Sequence, residues 1–323
     1  MPKVLNGNLD ALKVVLAICV VALHCKVFGG NDTAIGYMLG NGLFRVAVPV
    51  FFIINGYYLF HTLSEGHSFS KWFQRGLWMY LFWMLIYSPF YVDPATLGSL
   101  KGVLGVVKSL LIGYFHLWYL VGMLGGGLIL YALRHAPTQR LITLALIAYL
   151  IGLTLQYMRV YYLLPNPFLQ HFNQNDYAAR NFLFMGFPFM CLGFVFAKHK
   201  ITQTVTRPVV WIWLVSGTAL MLAESYTNYS LRANPQLYFD FMFSLPILTP
   251  ALFMLACVYF RASTSNVPAK VSSAVYYIHP LFIVGALAAG MAYGNLLALL
   301  VIGLALVAAP LLIALSKRVR FVL

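Results

Sequence analysis

Lys13 and His24 stand eleven residues apart in one apolar run, Leu9-Asp10-Ala11-Leu12-Lys13 through Val21-Ala22-Leu23-His24. In a helix, at about 100° and 1.5 Å per residue, eleven steps bring both side chains to nearly one face, roughly 16 Å apart along the axis. Asp10, three residues before the lysine, shares that face. An imidazole that titrates near neutrality is suited to taking a proton from a hydroxyl nucleophile. The lysine can hold an anionic group, or it can pair with Asp10 as an i,i+3 neighbour at the helix start. An ionisable group turned toward lipid costs about 2.5 to 3.5 kcal/mol on insertion scales, so such groups normally face a bundle interior or a wet cavity. This run is therefore expected to line something.

A second unusual charge, Arg45, opens the segment Phe44-Arg45-Val46-Ala47-Val48-Pro49-Val50-Phe51-Phe52-Ile53-Ile54-Asn55-Gly56-Tyr57. Near a helix end an arginine can snorkel to the interface, or it can stabilise charge at the depth of His24. At the other end of the segment, Asn55 can bond across helices and Gly56 permits close helix approach. His116 and Trp118 open a later run; a tryptophan there is commonplace at a membrane interface. Glu224, one of only seven acidic residues in the chain, could orient an imidazole or simply end a helix in solvent. His279 lies before Pro280, which frees backbone carbonyls and bends a helix; packing is the expected role of that histidine.

The elements that must position these residues are set by composition. Sixty-two per cent of the 323 residues are hydrophobic, 9% are charged and the mean hydropathy is +0.83, which excludes an ordinary soluble domain. The expected fold is an all-α integral membrane protein, a single domain over residues 1–323. Ten apolar runs of membrane length cover approximately Leu9 to Phe28, Met38 to Phe60, Trp72 to Val92, His116 to Leu133, Arg140 to Met158, Asn181 to Lys198, Val209 to Ser225, Tyr238 to Phe260, Ser272 to Met291 and Asn295 to Leu315. Residues 97–114, Gly-rich and interrupted by Lys101 and Lys108, are expected as an interfacial or re-entrant helix.

With ten spans and a cytoplasmic N-terminus, thirteen of the 21 Lys and Arg fall inside and six outside, with Lys13 and Arg45 within spans. Both termini are then cytoplasmic, as the positive-inside rule requires. The formal net charge of +14 thus belongs to topology, and no nucleic-acid partner is needed to explain it. The four cysteines, Cys19, Cys25, Cys191 and Cys257, have no paired ligand spacing, so neither a disulfide framework nor a metal site is expected. The first run lacks a small-residue cleavage pattern and is expected to be retained. The longest polar stretch, Tyr157 to Arg180, is rich in Asn, Gln and aromatics and stiffened by Pro165 and Pro167; an external loop of this kind can bind a ligand, here by stacking and hydrogen bonding to a sugar, or serve equally as an ordinary surface connection.

Taken in order, these segments resemble membrane-bound acyltransferase family 3. The resemblance rests on Leu9-Asp10-x-Leu12-Lys13 with His24, on Arg45 with Pro49 and Phe51 to Tyr57, and on His116-Leu117-Trp118-Tyr119-Leu120. It continues through Arg180-Asn181-Phe182, Phe187-Pro188-Phe189 and Leu192-Gly193 to Tyr276-Tyr277-Ile278-His279-Pro280. Family members usually carry arginine where this chain has Lys13, and more often serine where it has Asn55; a planar guanidinium grips phosphate in a way an ammonium does not.

The resemblance implies an O-acetyltransferase of the bacterial cytoplasmic membrane, moving an acyl group from acetyl-CoA or another acyl-CoA to a hydroxyl of a surface glycan or lipid-linked sugar. It implies catalytic roles for His24, Arg45 and Glu224. Donor contacts would come from Lys13, Asp10, Asn55, Lys71 and Arg75, and acceptor contacts from His116, Trp118 and Arg180. A related module occurs fused to amino-acid racemases with an assigned transport role, so a transporter of a small polar solute such as an amino acid is the alternative, and a lapsed, binding-only partner a third.

Overall fold

The computed structural model describes residues 5–161, 163, 175–231 and 237–323. Pro165, Pro167 and most of the polar stretch after Tyr157 lie outside the described residues, as do Lys3 and Arg232. The described chain is almost wholly helical. Its one sheet among the described residues is a two-residue antiparallel pair, β1 (Leu5–Asn6) with β2 (Ala262–Ser263). That pair clamps the start of the chain to the connection between two late helices.

Asn6 then caps the first helix, α1 (Gly7–His24), accepting from the N–H groups of Asn8 and Leu9, the usual way an Asx side chain satisfies the first orphan donors. The helix ends at a run of left-handed and glycine residues, Lys26 to Gly30, so His24 is held at its last turn. The short α2 (Ala34–Gly40) and a 3₁₀ turn, Leu43–Val46, lead into α3 (Ala47–Ser64). There follow α4 (Phe69–Ile86), α5 (Leu100–Ile112), α6 (Trp118–Ala132) and α7 (Thr138–Val160). A π turn, Phe182–Gly186, opens α8 (Phe187–Lys198), and α9 (Arg207–Leu231), α10 (Leu245–Val258), α11 (Val267–Ala288) and α12 (Asn295–Arg318) complete the bundle.

Each of the ten expected runs contains helix, but Met38 to Phe60 is interrupted at Asn41 and Gly42, and Tyr238 to Phe260 is helical only from Leu245. Among the described residues, seven helical segments are long and apolar enough to cross a membrane; Phe182–Lys198 and Leu245–Val258 are shorter apolar helices. The eighteen-residue α4 is not one of the seven. At thirteen residues α5 is about 20 Å long, too short for a hydrocarbon core of about 30 Å. It buries no residue and exposes Leu100, Leu104 and Leu111, while the Lys108 ammonium lies 4.6 Å over the Tyr177 ring.

Side chains from almost every helix form the main core, from Leu9 and Leu16 on α1 to Tyr276 and Tyr277 on α11. The central contact is α3 against α8. It is close because Gly56 faces the Met190 carbonyl and Gly193 faces the Ile53 carbonyl, positions where a Cβ would strike backbone. A second cluster joins Ala17, Val21 and Cys25 of α1 to α11 and α12. Between these clusters α1 is held on both sides, with the Lys13 end and the His24 end at opposite limits of the bundle.

Candidate active site

At the His24 end a cavity of about 500 Å³ opens between α1, the Lys26 to Asp32 turn, α2 and the start of α6. His24, Arg45, Trp118, Arg180 and Tyr238 are on its wall. A smaller niche of about 50 Å³ lies against His24, Arg45, Trp118 and Arg180 and adds Asp240. Five separate pieces of chain supply these residues, and local devices place three of them. The left-handed turn after α1 stops the helix at His24. Gly113, at φ +89°, turns the chain so tightly that a Cβ there would meet the Trp118 backbone, which only glycine tolerates; the turn delivers His116 and Trp118. The 3₁₀ turn before α3 carries Arg45, whose Nε donates to the Gly40 carbonyl at 3.0 Å and whose Nη2 donates to Asn41 Oδ1 at 3.3 Å.

Behind the wall runs an alternating chain of charges. Arg45 pairs with Asp240; Asp240 accepts from Arg180 Nη1 at 3.5 Å; Arg180 approaches Asp176 at 3.7 Å; and Asp176 pairs with Arg159 and accepts from the Tyr238 hydroxyl. Two aromatic rings complete it, Tyr238 under Arg45 at 4.8 Å and Trp118 under Arg180 at 5.1 Å. The segment bearing Asp240 has no helix to hold it. Asn41 Oδ1 accepts the Phe239 N–H, Gln156 Oε1 accepts the Asp240 N–H, and Gln156 Nε2 donates to the Tyr238 carbonyl, all at 3.1 Å. Burial by itself would raise the pKa of Asp176, but the Arg180 and Arg159 guanidiniums and the Tyr238 hydroxyl outweigh it and hold the carboxyl below its ordinary value. Burial works against the Arg180 cation too, and Asp240, with Tyr238 and Asp176, more than offsets it.

Under the cavity floor three imidazoles meet. The His24 ring lies near-parallel to that of His279, with centroids 5.4 Å apart, and tilted on Phe115 at 4.6 Å. His116 stands edge-on to His279 at 5.3 Å and is packed by Tyr87 and Tyr276. Both His116 and His279 are buried. His116 thus sits beneath the cavity rather than on its wall. Among the described residues no group of three or more His, Cys, Asp or Glu side chains is placed to hold a metal ion.

The remaining expected residues lie elsewhere. Lys13 donates to Asp10 Oδ1 at 2.8 Å and rests 5.7 Å over the Tyr58 ring; the cavity at His24 does not reach it, since Leu16, Ala17, Val20 and Val21 are buried in the intervening turns. Asn55 Nδ2 ties α3 to α6 through the Tyr119 hydroxyl at 2.6 Å. Lys71 is exposed, and Arg75 Nη2 donates to the Leu323 carbonyl at 3.5 Å.

Glu224 requires a correction of place. It is not on the cavity wall with His24. Its carboxylate accepts from the Tyr157 hydroxyl, the Phe243 and Ser244 N–H groups and the Ser244 hydroxyl, at 2.5 to 2.8 Å. It therefore satisfies donors just before α10, as carboxylates do at a helix N-terminus. The carboxylate that does share the niche with His24 is Asp240, which sequence reading passes over; its signal was its rarity, an acid inside the apolar stretch Tyr238 to Phe260.

The sequence model described as an acyltransferase domain, acyltransferase family 3, matches residues 6–315, and the chain belongs to that family. It is a membrane-embedded helical protein of acyltransferase type. The chain is 27% identical over 304 residues to a serine/alanine racemase of Enterococcus gallinarum, covering 87% of this chain and 41% of the relative. It is 26% identical over 296 residues to an amino-acid racemase of Enterococcus faecalis, covering 86% and 41%. The chain thus spans about two fifths of the length of these curated relatives. No solved structure matches it.

Proposed function

We propose that the protein is an O-acyltransferase of the bacterial cytoplasmic membrane. It would move an acyl group, acetyl first among the candidates, from cytoplasmic acyl-CoA to a hydroxyl of an extracytoplasmic glycan or lipid-linked sugar. The observation that carries this reading is His24 on the wall of the roughly 500 Å³ cavity with Arg45 and Arg180 beside it, in a chain of the acyltransferase family. Trp118, Tyr238 and Tyr293 line the same cavity, an aromatic lining that suits a sugar.

In this mechanism His24 accepts the proton of the acceptor hydroxyl as its oxygen attacks the thioester carbonyl. The carbonyl oxygen gains negative charge, and a guanidinium, Arg45 or Arg180, stabilises it, the type of electrostatic contribution that is usually largest in acyl transfer. The C–S bond then breaks and the His24 proton passes to the departing thiolate. Lys13, with Lys71 and Arg75 on the same side of the bundle, would attract the donor phosphates. Because the cavity stops short of Lys13, donor entry in this reading requires the α1 contacts between the two ends to open.

The test compares acetyl-CoA-dependent labelling of glycans in membranes holding equal amounts of wild type and His24→Ala. A loss of about 10² to 10⁴-fold is expected for a general base; labelling at the wild-type rate would sink the proposal. The racemase names of the two relatives favour a second reading, passage of an amino acid through the same cavity. Proteoliposome uptake of labelled serine or alanine without any acyl donor would establish that reading, and its absence alongside glycan labelling would remove it.

A further inference from the structure

His279 is tied to His24 by a local device that starts at Pro280. Proline has no N–H, so the carbonyl four residues back, that of Tyr276, has no helical donor. His279 fills the gap. Its Nδ1 lies 2.7 Å from the Tyr276 oxygen and 3.1 Å from the Val275 oxygen. Both partners are carbonyls, which only accept, so Nδ1 must carry the hydrogen. The proline therefore fixes the tautomer: Nε2 is left as a lone pair. That nitrogen is buried and has no hydrogen-bond partner, in a side chain with 0% exposure, and the ring to which it belongs lies 5.4 Å from that of His24. A bare acceptor in a buried site is costly unless a donor reaches it.

We propose that His279 is the positioning residue of His24: its Nε2, unpartnered in this structure, accepts the ring N–H of His24 when the imidazole turns to receive substrate, so that the other His24 nitrogen presents its lone pair to the cavity. The inference rests on the acyl-transfer reading. When His24 takes the acceptor proton, a new N–H bond forms on the cavity side as the O–H bond breaks, and the N–H on the far side remains donated to His279. Among the described residues no carboxylate is hydrogen-bonded to His24. Around it, the turn after α1 supplies Lys26 and Asp32, the turn before α3 supplies Arg45, the segment before the π turn supplies Arg180, the turn before α6 supplies His116 and α11 supplies His279. Asp240, in the adjoining niche, is engaged by Arg45 and Arg180.

The tests are His279→Gln, which places an amide oxygen where Nε2 stands, and His279→Phe, which fills the volume without an acceptor. Wild type, both variants and His24→Ala are compared for acetyl-CoA-dependent glycan labelling across pH 5.5–9. His279→Phe is expected to lose about 10²-fold in kcat at unchanged donor KM and to alter the pH profile, whereas His279→Gln stays within about tenfold of wild type. Equal rates for the two variants, or a wild-type pH profile in His279→Phe, would overturn the inference while leaving His24 as the base. An active His24→Ala would instead overturn the reading beneath it. A readout that needs no variant is ¹⁵N-histidine NMR of wild type in bilayers. A hydrogen on Nδ1 with Nε2 bare supports the device, and the opposite tautomer for His279 refutes it.

Discussion

The two ends of this bundle handle charge in opposite ways. At the His24 end, five acidic and basic side chains from four parts of the sequence, Arg45, Arg159, Asp176 with Arg180, and Asp240, interlock in one largely buried chain. At the Lys13 end, Asp10 and Lys13 pair within a single helical turn, while Lys71 stands exposed. The first arrangement exists only when the whole fold is assembled; the second would form in almost any isolated helix. Charge at the His24 end is therefore architecture as well as site, and charge at the Lys13 end is local and replaceable.

The hardest strike against this contrast is Asp240→Asn. It removes the counter-charge shared by Arg45 and Arg180 and leaves two largely buried guanidiniums underpaired. Breaking a buried pair costs about 3–5 kcal/mol, so thermal unfolding in detergent should show a large fall, with loss of labelling activity. A melting curve within 1 kcal/mol of wild type would mean that the charge chain is decorative, and the contrast would fail.

If charge does not hold the Lys13 half together, backbone contact must. Gly56 meets the Met190 carbonyl across α3 and α8, with no room for a methyl. Gly56→Ala is expected to cost about 1–3 kcal/mol through overpacking. Gly285→Ala, where nothing lies within 4 Å, should be neutral or stabilising by up to about 1 kcal/mol from helix propensity. Similar effects at both positions would show that the α3–α8 approach is not tight.

Acid offers a milder probe of the His24 end. Asp176 has a folded pKa held below its ordinary 3.8. A depressed carboxyl pKa adds stability that is fully present above the unfolded value and is lost as pH falls through the folded one. Wild type should therefore lose stability below about pH 3.8, and Asp176→Asn, less stable at neutral pH, should show a shallower decline there. Parallel acid curves for the two proteins would remove Asp176 from the network.

Much of this contrast was open to a reader of the sequence, but not its wiring. Apolar length located α1, α6 and α11, because burial in lipid demands helix with few alternatives, but not the short α2, which ends at Gly40 inside the run Met38 to Phe60. The pair Asp10 and Lys13 was legible because i,i+3 contacts are written in spacing. Asp240 was not. The run Tyr238 to Phe260 reads as continuous helix, yet α10 begins only at Leu245, since Pro246 occupies its first turn and Glu224 satisfies the donors before it. The eight residues 237–244 are thereby released to carry a carboxylate to Arg45. Glu224 was misplaced for the complementary reason: it ends an apolar run in the sequence, whereas α9 continues to Leu231 and the donors that take the carboxylate lie in another segment. The His279 device was half legible, as Pro280 announces an unclaimed carbonyl but not which side chain claims it.

The smallest expected effect belongs to the pair that the sequence displays most openly. Asp10 and Lys13 are joined at 2.8 Å, with side chains 7% and 18% exposed. Such i,i+3 pairs contribute about 0.2–0.5 kcal/mol on exposed helices, and a glutamine amide can still donate to the buried Asp10, so Lys13→Gln should move the melting curve least of these variants. Its kinetic effect separates two roles for the same ammonium. If Lys13 only pairs with Asp10, donor KM stays at the wild-type value and Asp10→Asn behaves like Lys13→Gln. If it attracts an anionic donor, Lys13→Gln raises donor KM several-fold, increasingly so at low ionic strength where a surface charge is least screened. Asp10→Asn then lowers donor KM, because an ammonium relieved of its carboxylate attracts phosphate more strongly. Opposite signs for the two variants would make the Lys13 end a genuine binding site despite its simple construction, and equal signs would confine it to structure.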